Sequence, residues 1–168
     1  MPYSMEILVV NQEKYVTFPF ESILQLECEG GRLGDLRLKK TWPILSSISG
    51  IWYNIMKKDE VYFNNTALIF ETEFDTLINQ DTYYWLHDKK RKECFTPFII
   101  KKTFLSDMKK ILRHLIDQSP IKTVMILPLY EKGKKEIIQG PIKFEEYFEL
   151  LSEKKIPFNV CTIVTDNL

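Results

Sequence analysis

The last third of the chain carries the punctuation that most restricts its fold. From Thr103 to Asp117 apolar residues recur at helical spacing, placing Leu105, Met108, Ile111, Leu112 and Leu115 on one face. Ser119-Pro120 closes that run, since proline cannot donate the next helical hydrogen bond. Val124–Tyr130 then reads as a strand, Lys132-Gly133 turns the chain, and Glu136–Gln139 is expected to pair back on it. Gly140-Pro141 opens a second helix reaching about Lys155, with Phe144, Tyr147, Phe148 and Leu151 as its apolar stripe. Glu145 and Glu146 near its start and Lys154 and Lys155 at its end complement the helix dipole. Beyond Pro157, the run Phe158–Val164 is apolar enough for a strand covered on both faces.

The first half reads as strand-rich. Glu6–Val10, Tyr15–Phe20, Ile23–Glu29 and Leu36–Lys39 are short strand candidates, and Tyr15–Phe18 and Leu24–Cys28 alternate with period two. Pro19 suits an edge position, and Gly30, Gly31 and Gly34 suit a turn. Thr41–Lys57 is expected to be a helix: Thr41 can cap it, Pro43 falls in its first turn, and Ile44, Ile48, Ile51, Trp52 and Ile55 share a face. Val61–Phe63 and Ala67–Glu73 flank Asn64-Asn65, a pair suited to a hairpin turn. Tyr83–His87 and Thr96–Lys101 are further strand candidates. Because helices and strands do not alternate strictly and hairpin signals are frequent, the expected fold class is α+β. The 168 residues fit a single domain, with a mixed or mainly antiparallel sheet and about three helices.

Hydrophobic residues make up 45% of the chain, enough for a sizeable core and too many for a disordered protein. Lys and Arg total 23, matching 23 Asp and Glu, so no global field steers the protein to nucleic acid or an anionic membrane. Cys28, Cys94 and Cys161 are odd in number and widely spaced, which points to reduced thiols in a cytoplasm rather than to disulfides or zinc. Met1–Glu6 lacks the basic start of a secretory signal, and apolar runs such as Val124–Leu127 are too short to span a bilayer.

Residues that could carry chemistry are few. Asp88 follows His87 and could orient it as a general base, but neighbours on a strand point to opposite faces. His114 falls near a helix end, where the dipole favours its charged form. Cys161 is expected to be an inert core thiol, whereas Cys94, after Lys89–Lys92, has positive charge nearby that lowers a thiol pKa. Gly30-Gly-Arg-Leu-Gly34 matches neither phosphate-loop pattern and reads as a turn. No cofactor or metal site is expected, and the chain is not expected to be an enzyme.

Charge is divided unevenly instead. From Asp59 to Asp88 there are seven acids (Asp59, Glu60, Glu71, Glu73, Asp75, Asp81 and Asp88) and no Lys or Arg. From Lys89 to Arg113 nine bases face only Glu93 and Asp107, for a net +7. The acidic segment also holds Tyr62, Phe63, Phe70, Phe74, Tyr83, Tyr84 and Trp85. Carboxylates around aromatic rings suit the docking of a basic protein, because rings supply buried anchors and charges supply steering. Glu71, Glu73, Asp75 and Asp81 are the expected steering groups, and Tyr84 and Trp85 the expected anchors. The basic stretch 89–113 offers an alternative reading, a nucleic-acid-associated accessory protein. Its aromatics are few and its neighbour is acidic, which makes nucleic acid the less favoured partner.

In length, reduced cysteines, the acidic aromatic segment Asp59–Asp88 and the block Thr103–Val164, the chain resembles the small cytoplasmic immunity proteins that accompany bacterial contact-dependent or polymorphic toxins. That resemblance implies a protein that binds one cognate toxin domain and blocks its active or substrate-binding surface. It also implies a basic partner, many such toxins being nucleases.

Overall fold

The structure, a computed structural model, describes residues 3–15, 18–22, 24–28, 48–57, 98, 100–130 and 138–168. Its framework is a sheet of six strands: Tyr3–Val10 (β1), Leu24–Cys28 (β2), Gly50–Lys57 (β3), Thr123–Tyr130 (β4), Ile138–Ile142 (β5) and Cys161–Thr165 (β6). The order across the sheet is β2-β3-β1-β4-β6-β5. Neighbours are antiparallel except for β5 and β6, which run parallel. With the helices Lys102–Gln118 (α1) and Phe144–Ser152 (α2), the described residues form an α+β fold on a mixed, mainly antiparallel sheet.

The register explains which residues form the core. Ile7 lies opposite Tyr53 on β3 and Ile126 on β4, and Val9 opposite Ile51 and Val124. Side chains paired in this way share a face. Together with Met5, Ile55, Leu24, Leu26 and Val164 they make the face on which both helices pack. α1 supplies Phe104, Met108, Ile111, Leu112, Leu115 and Ile116 to that face, and α2 supplies Phe144, Tyr147 and Leu151. Each large apolar side chain buried there contributes about 1.5–3 kcal/mol. Leu8 pairs with Trp52 and Met125 on the opposite face, where Val10, Leu127, Leu129 and Cys161 form a second buried cluster.

The helix expected over Thr41–Lys57 is not formed where the structure describes it: Ile48 and Ser49 are irregular, and Gly50–Lys57 is β3. β3 lies between β1 and β2 with Ile51, Tyr53 and Ile55 on one face and Trp52 on the other, all buried. A strand covered on both faces loses the alternation that distinguishes it from a helix, which is why its apolar spacing also fits a helical face. Gly50 settles the matter. Its φ of +151° and a neighbouring Val9 carbonyl oxygen, which a Cβ would overlap, leave space only for glycine. The described residues thus hold two helices rather than about three.

Further boundaries shift. Tyr15, Phe18, Pro19 and Phe20 are irregular instead of a strand, the proline having no N–H to donate to a ladder. Of the Thr96–Lys101 candidate, Ile100 makes only an isolated bridge, while the Phe98 N–H donates to the Ile156 carbonyl at 2.5 Å. Gly140 and Pro141 belong to β5, not to the start of a helix, and β5 pairs with β6 rather than back on β4. Gln139 Nε2 supports that pairing by donating to Thr162 Oγ1 at 2.8 Å. α2 stops at Ser152, so Lys154 and Lys155 lie beyond it, and Lys155 pairs with Glu153 at 2.7 Å. The expectations for Gly30–Gly34, Leu36–Lys39, Val61–Glu73 and Tyr83–His87 lie outside the described residues.

Candidate functional site

The outer face of α1 follows from its period. Lys102, Ser106, Lys109, Lys110, Arg113 and Asp117 recur every three or four residues opposite the buried stripe. Four of these six carry positive charge, so Lys102, Lys109, Lys110 and Arg113 of the basic stretch share the outer face of α1. α2 packs beside it and exposes Glu145, Glu146 and Glu149. Where the two helices meet, the Lys109 ammonium lies 5.9 Å from the centre of the Phe148 ring, and the Arg113 guanidinium lies 5.0 Å from that of Phe144.

Arg113 is committed within the fold. Its Nη1 donates to Asp166 Oδ1 at 3.1 Å, and its Nη2 donates to Asp166 Oδ2 and, at 2.9 Å, to Asp117 Oδ1. The hydrogen bonds to Asp166, and then those to Asp117, hold its pKa above the ordinary value against the opposing effect of burial. Asp166 immediately follows β6, so this pair joins α1 to the chain's last segment.

One aromatic cluster sits against the same helix. Ser22 Oγ donates to the Asp107 carboxylate at 2.7 Å and accepts from the Leu24 N–H at 3.0 Å, fastening the segment 18–22 to α1. Phe18 and Phe20 contact edge to face at 5.0 Å, and both meet His114, at 5.7 Å and 6.2 Å. Phe18 is packed against the core, whereas Phe20 is 54% exposed. His114 Nε2 is shielded from water with no hydrogen-bond partner, and burial lowers the His114 pKa. The expectation that the helix end favours a charged His114 is therefore corrected: removal from water outweighs the attraction of Asp117. Phe20, Lys110, Arg113, His114 and Asp117 line a cleft of about 400 Å³.

Cys161 is buried, and burial raises its thiol pKa, so it stays protonated and unreactive as expected. The Tyr147 phenol is raised by burial and then by nearby Cys161. Among the described residues no cluster of three or more His, Cys, Asp or Glu is placed to hold a metal ion, and no helix is long and apolar enough to cross a membrane.

Glu71, Glu73, Asp75, Asp81, Tyr84 and Trp85, the expected partner-binding residues, lie outside the described residues, as do His87, Asp88 and Cys94. The structure brings together instead Phe18, Phe20, His114, Lys110 and Arg113. No sequence signal joins them, because the phenylalanines are ninety or more positions from the helix residues they meet. No family model, curated protein or solved structure matches the chain.

Proposed function

We propose that this chain is a non-enzymatic cytoplasmic binding protein of the immunity type, which neutralises a cognate toxin domain by covering its active or substrate-binding surface. The observation that carries this reading is the segment Asp59–Asp88, with seven carboxylates, no Lys or Arg, and the rings of Tyr84 and Trp85 among them. Seven like charges in thirty residues repel one another, and a basic partner relieves that repulsion on binding. Glu71, Glu73, Asp75 and Asp81 are the steering groups of the proposal, and Tyr84 and Trp85 its anchors.

The test is functional capture. Proteins retained by the immobilised chain from its source cells are identified and expressed singly in a sensitive host. A retained protein that arrests growth alone, and no longer does so when this chain is co-expressed, supports the proposal. If no retained protein is toxic, the immunity reading fails.

A second reading, a nucleic-acid accessory protein, draws on Lys102, Lys109 and Lys110, exposed along α1. The commitment of Arg113 to Asp117 and Asp166 and the exposed glutamates of α2 weigh against it. Submicromolar binding to mixed duplex or single strands near physiological salt would promote it.

A further inference from the structure

We infer that His114 works as a pH-sensitive latch: its neutral imidazole holds residues 18–22 against α1, and its protonation releases them. This inference is independent of the toxin-binding proposal, which concerns a different part of the chain. The segment, the ring and the surrounding charges each carry part of it.

The segment 18–22 is a strap rather than a strand. It is irregular, and Pro19 has no N–H to offer a neighbouring strand. Contacts at both of its ends hold it to α1. Ser22 Oγ donates to the Asp107 carboxylate at 2.7 Å. Phe18 and Phe20 close over His114, with ring centres at 5.7 Å and 6.2 Å. A short irregular segment opens at lower cost than the sheet and helices it lies on, so it can leave while they stay folded.

The ring accounts for the sensitivity to protons. Nε2 of His114 is shielded from water with no hydrogen-bond partner. A neutral imidazole tolerates this by carrying its one proton on Nδ1, which leaves Nε2 a bare nitrogen. The imidazolium carries a proton on both nitrogens, and its Nε2–H becomes a buried donor without an acceptor. Water reaches that donor once the strap has left. Protonation therefore favours the released state, the one that solvates the charge.

The neighbouring charges do not reverse this. On α1, Lys110 is four residues from His114 and repels an imidazolium, and Arg113 lines the same cleft. Asp117 attracts it but shares its carboxylate with Arg113. Asp166, which follows β6, is held by Arg113 as well. Within the strap the one charged residue, Glu21, is exposed. Burial accordingly lowers the His114 pKa from 6.5, and the attraction of Asp117 only opposes it. Docking of the strap is thus independent of pH well above 6.5 and weakens as the pH falls through 6.5 toward the lower folded value.

The test is fluorine NMR on the whole chain carrying para-fluorophenylalanine at position 18, a ring that leaves the core for water on release. Between pH 7.5 and 5 the released population is expected to rise about tenfold, the effect of one buried donor left unpaired. The amide signals of α1 and the sheet should keep their dispersion throughout. In His114→Phe, whose carboxylates titrate as before, the fluorine signal should not respond to pH. Lys110→Glu, a change at an exposed position, gives the imidazolium an anionic neighbour and should reduce the response. The inference is overturned if the fluorine signal of the otherwise native chain is unchanged over this range, or if His114 titrates at or above 6.5. It is equally overturned if His114→Phe or Lys110→Glu responds like the native chain, or if the signals of α1 and the sheet are lost together with that of position 18.

Discussion

The hydroxyl of Ser119 donates to the carbonyl oxygen of Val10 across 2.7 Å, and both residues are buried. This bond ties the end of α1 to the end of β1, which are 109 positions apart in sequence. The same hydroxyl accepts from the Ile121 N–H at 3.3 Å, so one side chain shapes the turn that carries the chain from α1 into β4. Ser119→Ala removes the donor and leaves buried polar groups unpaired, and is expected to destabilise the fold by about 1–3 kcal/mol. Urea unfolding at neutral pH measures this directly. A loss below a few tenths of a kcal/mol would mean that water replaces the bond.

His114 predicts a pH dependence. Burial holds its folded-state pKa below the ordinary value of 6.5, so the unfolded chain takes up the proton first as the pH falls. The stabilising contribution of the neutral imidazole is complete above the unfolded value. It is lost progressively as the pH drops through 6.5 toward the lower folded value. Lys110, Arg113 and Asp117 on α1 face the imidazole along with Phe18 and Phe20, and Asp117 reduces the shift without reversing it. The urea midpoint of the native chain should fall between pH 7.5 and 5 more steeply than that of His114→Phe, which has no proton to gain there. Parallel curves for the two proteins would remove His114 from the account.

Gly50→Ala tests the start of β3. A Cβ at this position would overlap the Val9 carbonyl oxygen and approach Leu8 Cδ1 to 2.9 Å, and the φ of +151° is one that residues with side chains rarely adopt. The neighbouring atom is backbone of the central strand, so it cannot move aside cheaply. A loss of roughly 1–3 kcal/mol is expected from the strained conformation alone. A melting temperature equal to that of the native chain would show that β1 and β3 separate at this end without cost.

Charge reversal tests the proposed partner surface. With Glu71, Glu73 and Asp75 changed together to Lys, association with the captured toxin should slow and become less sensitive to salt. The melting temperature is expected to stay nearly constant, since the three positions are read as a solvated face. Unchanged association kinetics would place the interface elsewhere on the chain.

The sequence by itself determined the elements whose side chains report their own surroundings. α1 is legible because one face is apolar and the other charged, and β4 and β6 because their apolar runs are too short and too continuous for anything but covered strands. The α+β class followed from the same patterns. The acidic segment with Glu71, Glu73, Asp75 and Asp81 was legible too, because charge needs no fold to be counted, although those residues lie outside the described ones. Only the tertiary structure decided matters that depend on distant partners. β3 is a strand because β1 and β2 flank it and its two faces are both covered, a circumstance its own residues do not disclose. β5 lies beside β6 rather than β4 because β6, more than thirty residues from the start of β4, occupies the place next to it. The cleft of Phe20, His114 and Lys110 and the pairing of Arg113 with Asp166 arise in the same way. Periodicity records which face of an element is covered, but the identity of what covers it is a property of contacts between segments far apart in the chain.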